Sequence, residues 1–185
     1  MSSYSRNSRK PTQALQLALA VALLAGSAAH AADEPRTFEL TAFSNGTGGT
    51  ALVSGDYNSA VRALSTHVNG LDADSVNTNR CVAYVVTRQV EAARIACNDA
   101  VRDAQQQIAT LPLAMSFDRT DYRDYLALAY SNRAVFNWMS NDTAAAQSDL
   151  KKAAAAAPKA EFVARNVTAL QSHSTVAQVS VAPKR

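Results

Sequence analysis

Between residues 55 and 172 the alternation of apolar and polar positions predicts a series of helices. Asp56 precedes apolar residues at Ala60, Val61 and Leu64, a spacing of three and four that gives a helix one buried face. Asp56 is expected to cap that helix. Further helices are predicted from Asp74 or Ser75 to about residue 86, then over residues 90–108, 122–139, 143–157 and 160–171. The predicted fold class is therefore all-α, built from antiparallel helix hairpins.

Residues 37–43 (TFELTAF) have a different period. Apolar and polar residues alternate there, which is typical of an extended segment. The glycines of Asn45-Gly46 and Gly48-Gly49 then predict a break in regular structure. We interpret residues 32–54 as an extended N-terminal arm that lies across the helices, with no evident strand partner. The tail, residues 173–185, is short and polar and is predicted to be disordered.

The first 31 residues have the three parts of a secretory signal peptide. These parts are a positive start at Arg6, Arg9 and Lys10, an apolar run over residues 14–26, and the small-x-small sequence Ala29-His30-Ala31. A membrane anchor is the alternative, but a run of this length is too short to cross a hydrocarbon core of about 30 Å. The sequence therefore predicts a periplasmic or secreted protein that begins near Ala32.

Small residues recur with one spacing in two places, and this internal repeat guides the interpretation of the helices. Intervals of twelve and then seven residues separate Ala134, Ala146 and Ala153, and likewise Cys81, Ala93 and Ala100. Asn132 and Asn166 are 34 residues apart. Pro158 ends the helix that follows the Ser140-Asn141-Asp142 turn.

These residues resemble the tetratricopeptide repeat family over about residues 55–172. The unit from Asn132 to Pro158 is the best match, the unit that contains Asn79 lacks the closing proline, and the first unit is only a half repeat. The resemblance implies a short, curved solenoid of about two and a half hairpins and a C-terminal capping helix, whose first helices line a concave groove. Some other helical bundle is the alternative.

The resemblance also implies a binding site. In related repeat proteins, asparagines and nearby basic residues on the first helices hold an extended peptide by its backbone. Asn79, Asn132 and Asn166 take equivalent places here, and Arg165 is predicted to supply charge. The alternative is that these asparagines bond to the backbone at the helix starts of neighbouring repeats.

Cys81 and Cys97 are the only cysteines of the chain. An even pair in an exported protein suggests a disulfide, and a bridge over this short loop would stabilise the fold by about 3 kcal/mol. Two buried free thiols are the alternative. No Cys-x-x-Cys spacing indicates redox chemistry.

Aromatic residues gather along the helix predicted over residues 122–139. They are Tyr122, Tyr125, Tyr130, Phe136 and Trp138. Their spacing does not keep to one helix face, so part of the set is expected to be exposed. Such residues serve either as interface anchors or as core residues with polar tips at the surface.

Charge and candidate chemistry exclude several classes of function. Three of the 18 basic residues precede Ala32 and none of the 15 acidic residues does, so the remaining chain carries 15 of each. A net charge near zero gives no sign of nucleic acid or membrane binding. No phosphate loop, nucleophile motif or metal-spaced cluster is present in the sequence. We expect no cofactor, no metal and no enzymatic activity.

Together these features predict a non-catalytic scaffold that binds a protein or peptide partner in the bacterial cell envelope. The alternative is a carrier that encloses a small apolar ligand between the helical groove and the arm. Self-association through an exposed end of the stack is a further possibility. A peptide-binding groove should be polar around the asparagines, whereas a carrier needs an apolar cavity there.

Overall fold

The computed structural model of the protein describes residues 37–66, 73–110, 118–172 and 179–184. Contacts divide the chain into two units, Met1–Glu34 and Pro35–Arg185, and every described residue belongs to the second. The signal peptide predicted for residues 1–31 lies outside the described residues.

The described part of the chain contains seven helices and two short strands. In chain order they are β1 (Phe38–Phe43), α1 (Gly49–Ser54), α2 (Tyr57–Thr66), α3 (Ala73–Val86), α4 (Val90–Thr110), α5 (Asp118–Met139), α6 (Thr143–Ala156), α7 (Glu161–Gln171) and β2 (Val179–Lys184). The structure is mostly helical, which agrees with the predicted all-α class.

Two helix hairpins make up the centre of the fold. Helix α3 packs mainly on α4, α5 packs mainly on α6, and α4 also packs on α5. Both hairpin turns use a residue in the left-handed region, Arg88 with φ of 57° and Asn141 with φ of 63°. Asp142 then caps α6, since its carboxylate accepts a hydrogen bond of 2.9 Å from the backbone N–H of Ala145.

The glycine-rich segment contains a helix, contrary to the prediction that residues 32–54 form an extended arm in which the glycines break regular structure. Gly48, with φ of 73°, directs the chain into α1. A Cβ atom added at Gly49 would overlap the carbonyl oxygen of Phe43. The glycines here therefore permit a close turn between β1 and α1 and do not prevent the helix.

The predicted disorder of the tail is also wrong for residues 179–184, because they form β2. Strand β2 pairs with β1 in parallel, and the register runs from Phe38 opposite Val179 to Phe43 opposite Lys184. The strand for which the sequence suggested no partner is thus paired with the opposite end of the chain. The rest of the tail, residues 173–178 and 185, lies outside the described residues.

Strand β1 lies inside the main hydrophobic core. Phe38, Leu40 and Ala42 are fully or almost fully buried, and they share one cluster with buried residues of α1, α2, α3, α4, α5 and α7. The repeated small residues are buried at the helix contacts: Cys81, Ala93, Ala100, Ala134, Ala146 and Ala153. Small side chains at these positions let the helices approach closely around the strand.

Within the described residues, no helix is both long enough and apolar enough to cross a membrane.

Candidate functional site

Three buried asparagines face strand β1 from three different helices. Asn79 lies on α3, Asn132 on α5 and Asn166 on α7, and their exposed fractions are 0%, 1% and 0%. A buried amide is stable only when its polar atoms are hydrogen-bonded. We call these three residues the asparagine row.

Each member of the row binds the backbone of one residue of β1 in two places. Its side-chain oxygen accepts a hydrogen bond from the residue's N–H, and its side-chain nitrogen donates one to the same residue's carbonyl oxygen. The bonds join Asn166 to Glu39 at 2.7 and 2.8 Å, Asn132 to Thr41 at 2.9 and 2.8 Å, and Asn79 to Phe43 at 2.8 and 3.0 Å. The row therefore takes the place of a neighbouring strand.

The spacing of these bonds follows from strand geometry. Backbone groups of every second residue point to the same edge of a strand, and the row binds residues 39, 41 and 43. An asparagine amide carries both a donor and an acceptor, so one side chain satisfies both groups of a residue. This kind of recognition depends on an extended backbone and not on the identity of the bound side chains.

Two further hydrogen bonds fix the orientation of the outer members of the row. The side-chain nitrogen of Asn79 also donates to the carbonyl oxygen of Thr47 at 3.0 Å. That of Asn166 also donates to the hydroxyl oxygen of Ser131 at 2.8 Å. The carbonyl oxygen of Thr47 can only accept, so it is consistent with the nitrogen of Asn79 facing it. The hydroxyl of Ser131 can donate or accept, so the amide of Asn166 is oriented by the N–H and carbonyl of Glu39.

The opposite edge of β1, which we call its outer edge, faces β2. Since residues 39, 41 and 43 direct their polar groups to the asparagine row, Leu40 and Ala42 direct theirs to β2. Ala42 is opposite Pro183 in the register. In a parallel pair a residue bonds to the two neighbours of its partner, so the nitrogen of Pro183 lies on the far edge of β2. That edge lacks a donor there and is poorly suited to a third strand.

Helix α5 holds β1 at both ends as well as at its centre. The ring centroids of Trp138 and Phe38 are 4.5 Å apart. Those of Tyr125 and Phe43 are 5.1 Å apart, in an edge-to-face arrangement. Both distances are in the favourable range for aromatic pairs. Two members of the predicted aromatic set are thus half-buried contacts of the strand, while Tyr130 and Phe136 are buried.

Arg165 adds an ion pair at the first residues of β1. Its guanidinium donates to both carboxylate oxygens of Glu39, at 2.6 and 3.1 Å, and to Glu161 at 3.3 Å. The hydrogen bond to Glu39 raises the pKa of Arg165 above its ordinary value. The Glu39 side chain is only 12% exposed, whereas that of Arg165 is 51% exposed, so solvent weakens the pair.

The structure brings the four predicted groove residues together around one extended segment. That segment belongs to the chain itself, and all three asparagines bond to it. Asn79 also bonds to the backbone of Thr47, just before the start of α1. Sequence reasoning missed the contacts of Glu39 and Ser131. The alternation of residues 37–43 was the signal that an extended ligand for the groove lies within the chain.

The predicted disulfide is present. Cys81 on α3 and Cys97 on α4 are bonded, with their Cα atoms 4.6 Å apart, and neither residue is exposed. Both belong to the core cluster that contains Phe38 and Leu40. The alternative of two free thiols is therefore wrong, and the bridge lies beside the groove.

Polar groups away from β1 serve the second hairpin. Arg133 on α5 binds both carboxylate oxygens of Asp149 on α6 at 2.8 Å, and Asn137 donates to Asp149 at 3.0 Å. The bond to Asp149 raises the pKa of Arg133. Within the described residues, no group of three or more His, Cys, Asp or Glu side chains is placed to hold a metal ion.

Apolar space is found on another side of the molecule. A cleft of 470 Å³ lies between α6 and α7, with Leu150, Val167 and Leu170 among its lining residues. Beside the asparagine row, by contrast, the space is filled by β1.

Comparison of the chain with known protein families, with curated protein sequences and with solved structures found no match.

Proposed function

We propose that this protein is an exported, non-catalytic scaffold that binds an extended polypeptide in the bacterial cell envelope. The signal-like start of the sequence supports export. The disulfide between Cys81 and Cys97 agrees with an oxidising compartment such as the periplasm.

We further propose that the helices form a short solenoid similar to tetratricopeptide repeat proteins. Apart from the contacts within each hairpin, α3 contacts α5, and α5 contacts α7. These are the three helices that carry the asparagine row. Equivalent helices side by side, each with an asparagine directed at the same strand, are expected of stacked repeats.

In this proposal the partner joins the outer edge of β1 and does not replace β1 in the groove. Phe38 and Leu40 are 1% and 0% exposed, and exposing each of these side chains to water would cost roughly 1.5–3 kcal/mol. A partner would have to recover that loss before it gained any free energy of binding. Strand β1 is therefore the fixed part of the binding site.

One observation carries the proposal: the asparagine row satisfies the inner edge of β1, so only the outer edge takes part in main-chain pairing with another strand. In the structure a strand, β2, pairs along it over six residue positions. Proteins commonly bind extended segments by adding a strand to such an edge. Main-chain hydrogen bonds then provide affinity, and neighbouring side chains provide specificity.

The carrier hypothesis has less support. It requires an apolar cavity around the asparagine row, and β1 fills that space with its own backbone and side chains. The cleft between α6 and α7 is separate from the residues on which that hypothesis was based.

The proposal is tested by photocrosslinking in envelope extract, with the chain from Ala32 as bait. A benzoylphenylalanine in place of Tyr125, which contacts Phe43, reports on the outer edge of β1, and the same group in place of Val90, on the exposed start of α4, is the control site. We expect a polypeptide to crosslink through position 125 and not through position 90.

The same bait is then made with Asn132→Ala, which removes the central member of the row, or with Asn58→Ala, which changes an exposed asparagine of α2. Helicity is checked by circular dichroism. We expect capture to be lost only with Asn132→Ala. Equal capture by both variants, capture through position 90 alone, or no capture at all would contradict the proposal.

A further inference from the structure

The two strands of the sheet are held in different ways, and this difference bears on how the outer edge of β1 is used. Four of the six residues of β1 are buried, whereas Ser180 of β2 is exposed and residues 181–184 are only half-buried. Val181 packs against the edge of the core cluster that contains Leu40. Strand β2 also contacts α1. The other described attachments of β2 are its backbone pairing and its last residue.

That last residue, Lys184, lies against the beginning of α5. Its ammonium group is 3.6 Å from a carboxylate oxygen of Asp124 and 5.8 Å from the centre of the Tyr125 ring. The Tyr125 ring is the one that also contacts Phe43. The acidic and aromatic side chains there form a site for a cation at the end of the paired segment.

We propose that β2 is an internal occupant of the outer edge of β1, and that a partner segment binds by replacing it. This inference rests on the proposed function. The partner segment is an extended peptide that runs parallel to β1, with an aliphatic residue in the place of Val181 and a lysine or arginine three residues later in the place of Lys184. An acidic residue at the latter position would meet the Asp124 carboxylate and be repelled.

Replacement is favourable because β2 can leave without opening the core. Its described side chains are exposed or half-buried, so β2 contributes little buried apolar surface of its own. The asparagine row would keep β1 in place meanwhile, since its six hydrogen bonds do not involve β2. A tethered strand competes at an effective concentration in the millimolar range, so β2 limits binding to segments that pair more strongly than it does.

The test uses a fluorescent synthetic peptide with the sequence of residues 176–185, VAQVSVAPKR. It is titrated into the parent chain and into a full-length variant with Val181→Asp and Lys184→Ala, which removes the side-chain contacts that Val181 and Lys184 make with the rest of the fold. We expect the variant to bind the peptide at least about tenfold more tightly than the parent, because the internal competitor is weakened.

Two controls accompany the titration. The variant Ser180→Asp adds a negative charge at the exposed position of β2. Its affinity for the peptide should lie between that of the parent and that of the double variant. A peptide that itself carries Val181→Asp and Lys184→Ala should bind the double variant at least tenfold more weakly than the unmodified peptide. Equal peptide binding by the parent and the double variant would overturn the proposal.

Amide hydrogen exchange locates the binding. In the double variant the N–H groups of Leu40 and Ala42 should exchange faster than in the parent and regain protection when the peptide is added. The N–H of Thr41, bonded to Asn132, should remain protected throughout. Unchanged exchange at Leu40 and Ala42 would show that β2 does not leave and would contradict the inference.

Failure of this inference about β2 can be distinguished from failure of the proposed function. Capture of a polypeptide through position 125 that is unaffected by the β2 substitutions would leave the scaffold proposal standing and refute the role of β2. Peptide binding by the double variant, without capture of a polypeptide from extract, would refute the scaffold proposal and leave the role of β2 standing.

Discussion

Strands β1 and β2 have the same length and pair with each other residue by residue, yet they are fixed by different interactions. The backbone of β1 has hydrogen-bond partners on both edges, its residues Phe38, Leu40 and Ala42 lie in the core, and Glu39 forms an ion pair. Strand β2 has one backbone partner, a half-buried valine, and a lysine at its end. One strand is part of the core, and the other is attached to its surface.

The difference shows that burial of a strand depends on how its polar edges are satisfied. A strand surrounded by helices normally leaves its N–H and carbonyl groups without partners, which is costly in the interior. Here asparagine side chains on three helices supply those partners. They allow a single strand to enter a helical core, and only its outer edge still needs a second strand.

The largest expected loss of stability comes from removing Asn132, the central asparagine that binds β1. Asn132→Ala leaves the N–H and carbonyl of Thr41 buried without hydrogen bonds, and each such group costs about 1–3 kcal/mol. We expect the free energy of unfolding, measured with urea, to fall by roughly 2–6 kcal/mol. The exposed control Asn58→Ala should change it by less than about 0.5 kcal/mol. Similar values for both variants would show that the row does not hold β1.

A second comparison uses residues that are opposite each other in the sheet, Leu40 and Val181. Leu40→Ala removes a fully buried side chain and should lower the free energy of unfolding by roughly 2–5 kcal/mol. Val181→Ala removes a half-buried one and should lower it by less than about 1 kcal/mol. Equal losses in urea denaturation would mean that the two strands are equally integral to the fold.

Removal of the disulfide sharpens the comparison through hydrogen exchange. The double variant Cys81→Ala, Cys97→Ala should lose about 3 kcal/mol of stability, because the bridge joins cysteines that are 16 positions apart in the chain. The N–H of Thr41 should lose protection by the same amount, since β1 is released only when the core opens. The exchange of N–H groups in β2 should change little if β2 opens locally. Equal loss of protection in both strands would contradict this.

The smallest effect is expected at Arg165. Because its side chain is half exposed, Arg165→Ala should reduce stability by less than about 1 kcal/mol, and the loss should shrink in high salt. Arg94→Ala is the matched control, since it breaks an exposed pair with Glu91 on α4, away from β1. The N–H of Glu39 should exchange faster only in the Arg165 variant. A change at Glu39 in both variants would mean that the effect is not local.

The helices and the site residues were predictable because their signals are local. Apolar spacing within each helix placed α2 to α7 to within a few residues, and the repeat spacing placed the asparagines at equivalent positions. The disulfide was predictable because the chain has two cysteines and was predicted to be exported. Each of these inferences uses residues that are close together in the chain or related by one fixed interval.

The missed elements depend on contacts between distant parts of the chain. Helix α1 begins at glycines that interrupt helices in isolation, but Gly49 is required here by the carbonyl of Phe43. Strand β2 contains Pro183 and polar residues, and its only local sign was the alternation around Val181. It exists because β1, about 140 residues earlier in the register, offers a backbone edge. Composition of the tail alone cannot show that.

The asparagine row also dictates an order of folding. Strand β1 precedes all seven described helices in the chain, but its bond to Asn166 joins residues 127 positions apart. The hydrogen bonds of Glu39 with Asn166 can therefore form only after α7 has been made. Contacts of such long sequence separation slow folding, and an apolar strand with unsatisfied edges is prone to aggregation in the meantime. Docking of β1 should thus be a late step that completes the helical stack around the first segment of the folded domain.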